Sequence, residues 1–383
     1  MSFTFTEDQK LLSDSADRFV LDEYDFETRR KILNQDGGFD KKNWSKFAEL
    51  GWLALPIAEE YGGLGGSTVD TAVLLEALGR GLVVEPYQSS IVLGAELLQI
   101  TGKEEQKKQY LPSVAEGKTL LSFAHIEPTS RFNLSHIKTK ASKEGDCYVV
   151  NGEKAIVYNA ETADFFIVSA RTEGDVSDQA GITLFVIPSN SEGIKLRSYP
   201  TIDGLRASEL TLNAVKVDQK DILGALHQAM PAIQQVVDRA CVLLCAEAAG
   251  AMDTAVKLTV DYIKNREQFG QAIGSFQVLQ HRAVEMLGAK DFSRALTYRA
   301  AGAMDQSNSS ERARAVSAAK VEMGRSGKLI GQEGIQLHGG MGMTDDMPIG
   351  HFFKRLTMID AIFGNVDFHR KRFAQITENV LHK

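Results

Sequence analysis

The sequence has few cysteines, no long apolar run and no excess of positive charge. Each of these absences excludes a class of protein. Three cysteines in 383 residues cannot form the disulfide framework of a small secreted domain. Cys241 and Cys245 lie four residues apart, and no second pair of ligands lies nearby in the sequence. We therefore expect buried structural thiols and no metal site.

No uninterrupted apolar stretch approaches the roughly 20 residues that a membrane helix requires, and the first residues carry no basic segment followed by an apolar run. We therefore expect a cytoplasmic protein without a membrane span. The formal net charge of -7 argues against a nucleic-acid partner, because binding to the phosphate backbone requires a basic surface. The composition, with 43% hydrophobic and 24% charged residues, is that of an ordinary globular chain.

The residue pattern changes twice along the chain, from helical to strand-like and back to helical. Residues 6–117 carry apolar positions at helical spacing, and residues 120–223 contain short β-branched or aromatic runs separated by Gly, Asn, Asp and Pro. Long amphipathic stretches return at 230–266, 274–303 and 310–331. The pattern predicts an α+β fold with an N-terminal helical domain at 1–118, a middle β domain at 119–225 and a C-terminal helical bundle at 226–383.

The dipeptide Asn151-Gly152 stands between two strand-like runs of the middle domain. Both residue types tolerate positive φ, which the two central residues of a tight hairpin require. The dipeptide therefore predicts a two-residue turn that ends one strand and begins the next.

The segment from Arg266 to Gln277 joins two of the long helices and carries a cation, an aromatic ring and glycines within a few residues. An arginine fork binds a pyrophosphate with two hydrogen bonds, and a phenylalanine such as Phe269 covers an apolar ring face. Gly270 lets the backbone approach a ligand closely. These residue types suit a nucleotide site, and an ordinary helix corner with a surface arginine explains the segment equally well.

A second segment, from Gln336 to Thr344, places three glycines after a helical run that ends near Ile335. Its backbone suits close contact with a ligand. Taken alone, however, the cluster is better explained as a helix that ends at a glycine and continues into a turn.

These two segments and the helical, β, helical order together resemble the acyl-CoA dehydrogenase family over essentially the whole chain. Further segments that match the family are Leu55–Gly63, Glu127–Pro128 and Asn151–Lys154. The resemblance implies the acyl-CoA dehydrogenase fold, in which a β-barrel-like middle domain follows the N-terminal helices and a four-helix bundle forms the C-terminal domain.

The resemblance also implies a cofactor, a reaction and a division of labour between subunits. The cofactor is FAD, and the reaction removes the α proton of an acyl-CoA and transfers a hydride from its β carbon to the flavin. In a homotetramer or heterotetramer, one subunit surrounds the isoalloxazine and its neighbour contacts the ADP half. The resemblance places the residues that contact the ADP half at Arg266, Gln268, Phe269, Gln277, Gln336, Gly339 and Gly340.

The family's catalytic carboxylate is missing from its usual place. Counting from the glycine turn places Phe363 there, and a phenyl ring cannot accept a proton. Other members carry the base on the long helix before the arginine segment, where counting gives Ala240. Glu247 lies on the same helix face and is a candidate base, although a paired structural carboxylate is the favoured interpretation. Asp238 is interpreted as a solvent-facing partner of Arg239.

The residues that would surround the isoalloxazine also depart from the family's pattern. The family's T-E-P motif is replaced by Ile126-Glu-Pro128, and its W-I-T motif by Ile156-Val-Tyr158. Bulky Phe132 occupies the position of the serine that meets the CoA portion. Two hydroxyl donors and a stacking indole are lost from this side of the site.

Because the losses fall on one side of a shared site, we favour a heteromer in which a large subunit supplies the isoalloxazine pocket and the base. The chain is similar in this respect to the small subunit of the pimeloyl-CoA dehydrogenase type, with α2β2 assembly. Two alternatives remain open: a self-sufficient homotetramer that uses Glu247 as its base, and a catalytically silent assembly protein that keeps the fold.

Overall fold

The computed structural model describes residues 4–305 and 308–381, and the chain forms two compact units. The first unit takes residues from the ranges 1–31, 67–83 and 241–383, and the second takes 32–66 and 84–240. Each unit therefore combines stretches that are distant in the sequence. The consecutive domain boundaries near residues 118 and 225 stay predictions.

The segment before the sheet is helical, as the apolar spacing predicts. Helix α1 begins at a capping box, in which the Thr6 hydroxyl accepts a hydrogen bond from the Gln9 amide and the Gln9 side chain accepts one from the Thr6 amide. A π-helical segment, Gln88–Ala95, precedes the fifth helix. The helices are α1 (Glu7–Glu23), α2 (Phe26–Leu33), α3 (Lys41–Glu49), α4 (Thr68–Arg80), α5 (Glu96–Thr101) and α6 (Glu104–Ala115).

The middle of the chain forms one eight-stranded sheet in the second unit. Its strands are β1 (Leu121–Ala124), β2 (Lys140–Glu144), β3 (Cys147–Tyr158), β4 (Phe165–Arg171), β5 (Ile182–Pro188), β6 (Ile194–Pro200), β7 (Arg206–Asp218) and β8 (Ile222–Leu223). The strand order is β6-β7-β3-β2-β4-β5-β8, and β1 pairs with β4 in parallel. Strands β4 and β5 are almost wholly buried, which explains why their sequences are continuous apolar runs.

The hairpin predicted at Asn151-Gly152 is wrong. Strand β3 runs through both residues without turning, and its register with β7 shifts beside Gly152, as at a β-bulge. A side chain at Gly152 would collide with Thr139, so close packing explains this glycine. The tight turn lies earlier, at Gly145-Asp146 between β2 and β3, where Gly145 has a φ of 61°.

The C-terminal part contains a bundle of long helices. The predicted α+β class, with helical segments before and after the sheet in the sequence, is confirmed. Helix α9 ends at His338, three residues beyond the end predicted near Ile335, and it includes Gly331 and Gly334. Cys241 and Cys245 are buried, and burial raises the pKa of Cys245 to about 12. The elements are α7 (Met230–Asn265), β9 (Glu267–Gln268), β10 (Gln271–Ala272), α8 (Gln277–Met304), α9 (Ser309–His338), α10 (Pro348–Ala361) and α11 (Val366–Leu381). Within the described ranges, no helix is long and apolar enough to cross a membrane.

Helices α4 and α7 touch backbone to backbone. A Cβ atom added at Gly250 would collide with the carbonyl oxygen of Glu76, and one added at Gly79 would collide with the carbonyl oxygen of Glu247. Glycine is required at both positions because no other residue lets the two backbones approach this closely. The crossing fixes the position of α7 in the first unit.

Gly250→Ala should lower the free energy of unfolding by about 2 to 3 kcal/mol, because the added methyl group meets backbone that cannot move aside. The matched control is Gly302→Ala on α8, whose added Cβ meets nothing within 4 Å. That change should stabilise the protein by up to about 1 kcal/mol through helix propensity. Urea unfolding followed by circular dichroism measures the free energy of unfolding of both variants. Equal changes in that free energy would contradict the close backbone contact between α4 and α7.

Candidate functional site: a groove at the end of helix α7

The segment after α7 is a miniature hairpin. Strands β9 and β10 pair through Gln268 and Gln271, which leaves Phe269-Gly270 as the two-residue turn. Both turn residues have positive φ, 55° for Phe269 and 80° for Gly270, as a tight hairpin turn requires. The left-handed conformation costs a residue with a side chain about 1 to 2 kcal/mol. The Phe269 ring is 90% exposed, so its own packing does not offset this cost.

A cavity of about 560 Å³ lies between this hairpin and the C-terminal end of α9, and we call it the groove. Both segments that the sequence singled out contribute to it. Six of the seven residues predicted for the ADP half line the groove, namely Arg266, Gln268, Phe269, Gln336, Gly339 and Gly340. Gln277 is the exposed first residue of α8 and is not part of the lining.

Two consecutive glycines at the end of α9 have different reasons to be glycine. Gly339 has a φ of 61° and ends the helix, which favours glycine on conformational grounds. Gly340 has no positive φ, and a Cβ atom added there would meet nothing within 4 Å. Packing within the first unit therefore gives no reason for glycine at position 340, whereas close approach of a ligand does.

The charges of the groove favour an anion. Arg282 also lines it, but its guanidinium is paired with Glu333, with 2.7 Å between Nε and Oε2. Arg266 is exposed, and its guanidinium has no ion-pair partner within residues 4–305 and 308–381. The groove therefore offers one uncompensated guanidinium, and a phosphate or pyrophosphate suits its fork of donors.

Tyr262 and His338 were not among the residues predicted to contact the ADP half, yet both line the groove. The His338 ring stacks on the Tyr262 ring with 4.3 Å between centroids. Its Nδ1 lies 2.7 Å from the carbonyl oxygen of Gly334 and donates to it. Burial lowers the pKa of His338, so the ring is neutral at neutral pH. The spacing of 76 residues between these two rings explains why the sequence did not reveal the pair.

The candidate base Glu247 is buried and paired. Its two carboxylate oxygens accept hydrogen bonds from the Nε and Nη2 atoms of Arg355, at 2.6 and 2.8 Å. This bidentate geometry ties α7 to α10 and is what a structural carboxylate requires. The role of Glu247 as a base stays a prediction.

Phe363 follows the end of α10 in a segment that a buried lysine holds in place. The Lys320 ammonium donates to the carbonyl oxygens of Ile359 and Ile362, at 2.6 and 2.9 Å, where the helix dipole favours a cation. Phe363 has a φ of 56°, and its carbonyl oxygen accepts a hydrogen bond from His369 Nε2 at 3.2 Å. These hydrogen bonds hold the backbone of the segment in place, although the Phe363 side chain cannot take a proton.

The expectation that Asp238 faces solvent is wrong. Asp238 is only 3% exposed and accepts a hydrogen bond from Gln234 at 3.2 Å. Its neighbours Val236, Val237 and Ala240 are buried as well, so this stretch of α7 lies inside the second unit. Arg239 pairs with Glu96 on α5.

In the second unit, Glu127 and Lys154 form a buried ion pair. Glu127 is buried and pairs with the Lys154 ammonium at 2.8 Å, and it also accepts a hydrogen bond from the Thr139 hydroxyl at 2.6 Å. Burial alone would raise the pKa of Glu127, but Lys154 and Thr139 outweigh it and lower the pKa. Burial lowers the pKa of Lys154 to about 8. These residues hold β3 beside the loop after β1.

Ile156 lies beside this pair on β3, at the position of the family's stacking indole. It has a φ of 53° and is 40% exposed, although it is β-branched. The adjacent Ala155 amide donates to the carbonyl oxygen of Ile126 at 2.7 Å. A β-branched residue with positive φ is a conformational outlier, and such strain concentrates at functional sites.

Glu247→Gln should lower the free energy of unfolding by about 3 kcal/mol, because it leaves the buried Arg355 guanidinium without a counter-charge. The double variant Glu247→Met, Arg355→Met should recover most of this loss, since it removes both buried charges and keeps similar volumes. Chemical denaturation measures both. Wild-type stability of Glu247→Gln would contradict the ion pair and leave the carboxylate available as a base.

Comparison with protein families accounts for most of the chain. Residues 6–118 match the model of the acyl-CoA dehydrogenase N-terminal domain, and residues 122–215 match that of the middle domain. Residues 230–377 match the model of the acyl-CoA dehydrogenase C-terminal domain, which contains the groove.

Two relatives align over nearly their whole length. A probable acyl-CoA dehydrogenase, YngJ of Bacillus subtilis, is 29% identical over 97% of this chain and 98% of its own. A 3-(aryl)acrylate reductase of Clostridium sporogenes is 30% identical over 93% of this chain and 94% of its own.

Two solved structures share the fold along the whole chain. A chain of the Tcur3481-Tcur3483 steroid ACAD is 26% identical, covers 98% of this chain and 99% of its own, and has a TM-score of 0.88. The FAD complex of PigA is 25% identical, covers 99% of each chain and has a TM-score of 0.90.

Proposed function

Because the chain belongs to the acyl-CoA dehydrogenase family, we propose that it is the groove-bearing subunit of a heteromeric acyl-CoA dehydrogenase and lends its FAD-binding residues to a partner subunit. The family consists of flavoprotein oxidoreductases that desaturate CoA thioesters, and its cofactor is FAD. The observation that carries the proposal is an asymmetry. Six of the seven residues predicted for the ADP half line the groove, whereas counting from the glycine turn places Phe363 at the position of the family's catalytic carboxylate.

The groove fits the ADP half of FAD. Arg266 offers the pyrophosphate a guanidinium that has no ion-pair partner among the described residues, and Gly340 leaves room for close approach of the ligand. The exposed side chain of Gln336 adds amide donors and an acceptor. The flavin, when bound, supplies the hydride acceptor. The groove residues of this chain bind and orient the nucleotide end of the cofactor. Substitutions of these residues should therefore change the affinity for FAD.

A partner subunit explains features that this chain alone does not. Phe269 exposes its ring to 90%, and a large apolar side chain at the tip of a turn is stabilised when a partner or ligand covers it. One structural neighbour, the Tcur3481-Tcur3483 steroid ACAD, is named for two proteins. The proposal accordingly includes α2β2 assembly of the pimeloyl-CoA dehydrogenase type, in which this chain is the small subunit and the large subunit carries the base.

The pairing of Glu247 weighs against the homotetrameric alternative. A general base must take a proton from the substrate, and both oxygens of this carboxylate already accept hydrogen bonds from Arg355. Breaking that pair to free the base would cost about 3 to 5 kcal/mol. A partner that carries its own carboxylate avoids this cost.

The chain purified alone should contain less than one FAD per subunit and should not oxidise acyl-CoA, because its own side lacks a base. Coexpression with a dehydrogenase subunit that carries the missing carboxylate and comes from the same genome should restore the full FAD content and the oxidation of acyl-CoA. Flavin absorbance and an acyl-CoA panel with an artificial electron acceptor measure the two quantities. Full turnover of the lone chain, with one FAD per subunit, would overturn the proposal.

Gly340→Ala should weaken FAD binding about tenfold without changing the stability of the flavin-free protein, because the added methyl group enters the groove and meets no atom of this chain within 4 Å. The matched control is Gly288→Ala on α8, which also meets nothing within 4 Å but lies outside the groove lining. Titration of the flavin-free protein with FAD gives the dissociation constants. Equal affinities for wild type and Gly340→Ala would show that the groove does not hold the cofactor.

A further inference from the structure

His338 is held in the groove in one orientation and one protonation state. Its Nδ1 atom donates to the carbonyl oxygen of Gly334 at 2.7 Å, and its ring stacks on Tyr262. Because Nδ1 carries the proton in the neutral ring, Nε2 carries the lone pair and is an acceptor. Nε2 has no partner within the described part of the chain, and His338 lines the groove.

The other charged and polar groups of the groove mostly donate hydrogen bonds. Arg266 presents a guanidinium, and the exposed Gln336 side chain offers its amide group to a ligand. Phosphate oxygens accept hydrogen bonds from such donors, but they have no proton to give to His338. A neutral acceptor fixed in the same groove therefore fits a part of the ligand that carries a neutral N–H or O–H donor.

We propose that His338 Nε2 accepts a hydrogen bond from the adenosine part of the nucleotide, and that His338 thereby selects the nucleoside bound in the groove. The inference rests on the proposed function, since it takes the groove as the site of the ADP half. Adenosine offers two sources of a neutral donor, the amino group of adenine and the hydroxyl groups of ribose. Tyr262 stacks on the His338 ring and is a positioning residue.

The test uses the flavin-free full-length chain and small probes that bind only this half of the site. Isothermal titration gives dissociation constants for ADP, for IDP, which lacks the adenine amino group, for 2′-deoxy-ADP, which lacks one ribose hydroxyl, and for inorganic pyrophosphate. The variants are His338→Phe, which keeps a ring on Tyr262 but removes the acceptor, and His338→Gln, whose Oε1 atom can replace Nε2. Thermal melting confirms that both variants fold.

His338→Phe should weaken ADP binding about five- to tenfold, the effect of one lost hydrogen bond, and should leave pyrophosphate binding unchanged. His338→Gln should restore ADP binding to within about twofold of wild type. If the amino group is the donor, the preference of wild type for ADP over IDP should disappear in His338→Phe. If the hydroxyl is the donor, the preference for ADP over 2′-deoxy-ADP should disappear instead.

Three results would overturn the inference. Unchanged ADP binding by His338→Phe would exclude the hydrogen bond. An equal loss of ADP and pyrophosphate binding in His338→Phe would show that His338 maintains the shape of the groove and does not recognise the nucleoside. Arg266→Gln separates this failure from that of the proposed function: if wild type binds ADP and Arg266→Gln does not, the groove holds the nucleotide whatever His338 does. A wild-type chain that binds neither ADP nor pyrophosphate would refute both.

Discussion

The backbone contact between α4 and α7 is the constraint on which the first unit depends. Gly250 and Gly79 bring the two helices together without side chains between them, so α7 cannot slide or rotate without a collision. Glu247 contributes its backbone carbonyl group to this contact, and its side chain pairs with Arg355. At the far end of the same rigid helix, Tyr262 supports His338, and the next turn of chain forms the Phe269 hairpin. The crossing of α4 and α7 lies about three helical turns from the groove and contains none of the groove residues, yet it fixes the helix that carries one side of the groove.

Much of the fold follows from local chemistry that the sequence displays. Periodic apolar spacing marks the long helices, and buried strands such as β4 are apolar throughout, so the α+β order is predictable. The Asn151-Gly152 hairpin fails because the same glycine also suits a bulge under close packing, and only the neighbouring strand decides between the two. The partner of Glu247 is equally hidden: Arg355 lies 108 residues later, and no local pattern links a carboxylate to one arginine among many.

Six groove residues were predictable because two short segments resemble the family. Their local sequence explains part of their conformation: Gly270 and Gly339 are glycines with positive φ, whereas Phe269 takes a positive φ against the preference of a residue with a side chain. The environment of Phe363 was not predictable in this way. Lys320, which holds that segment by its carbonyl oxygens, is distant in sequence and resembles any helix lysine until its burial is known.

Residues that match the family do so for two physically different reasons, and the difference bears on function. Glu127 and Lys154 form a buried ion pair within the second unit, so the stability of the fold is sufficient reason for both. Arg266 and Phe269 are exposed, and Gly340 has no packing that demands glycine, so the fold gives no such reason for them. The proposed nucleotide site supplies such a reason for these exposed residues. The proposal gives Phe363 the complementary meaning, because a subunit that only lends a groove would need a stable segment there and no base.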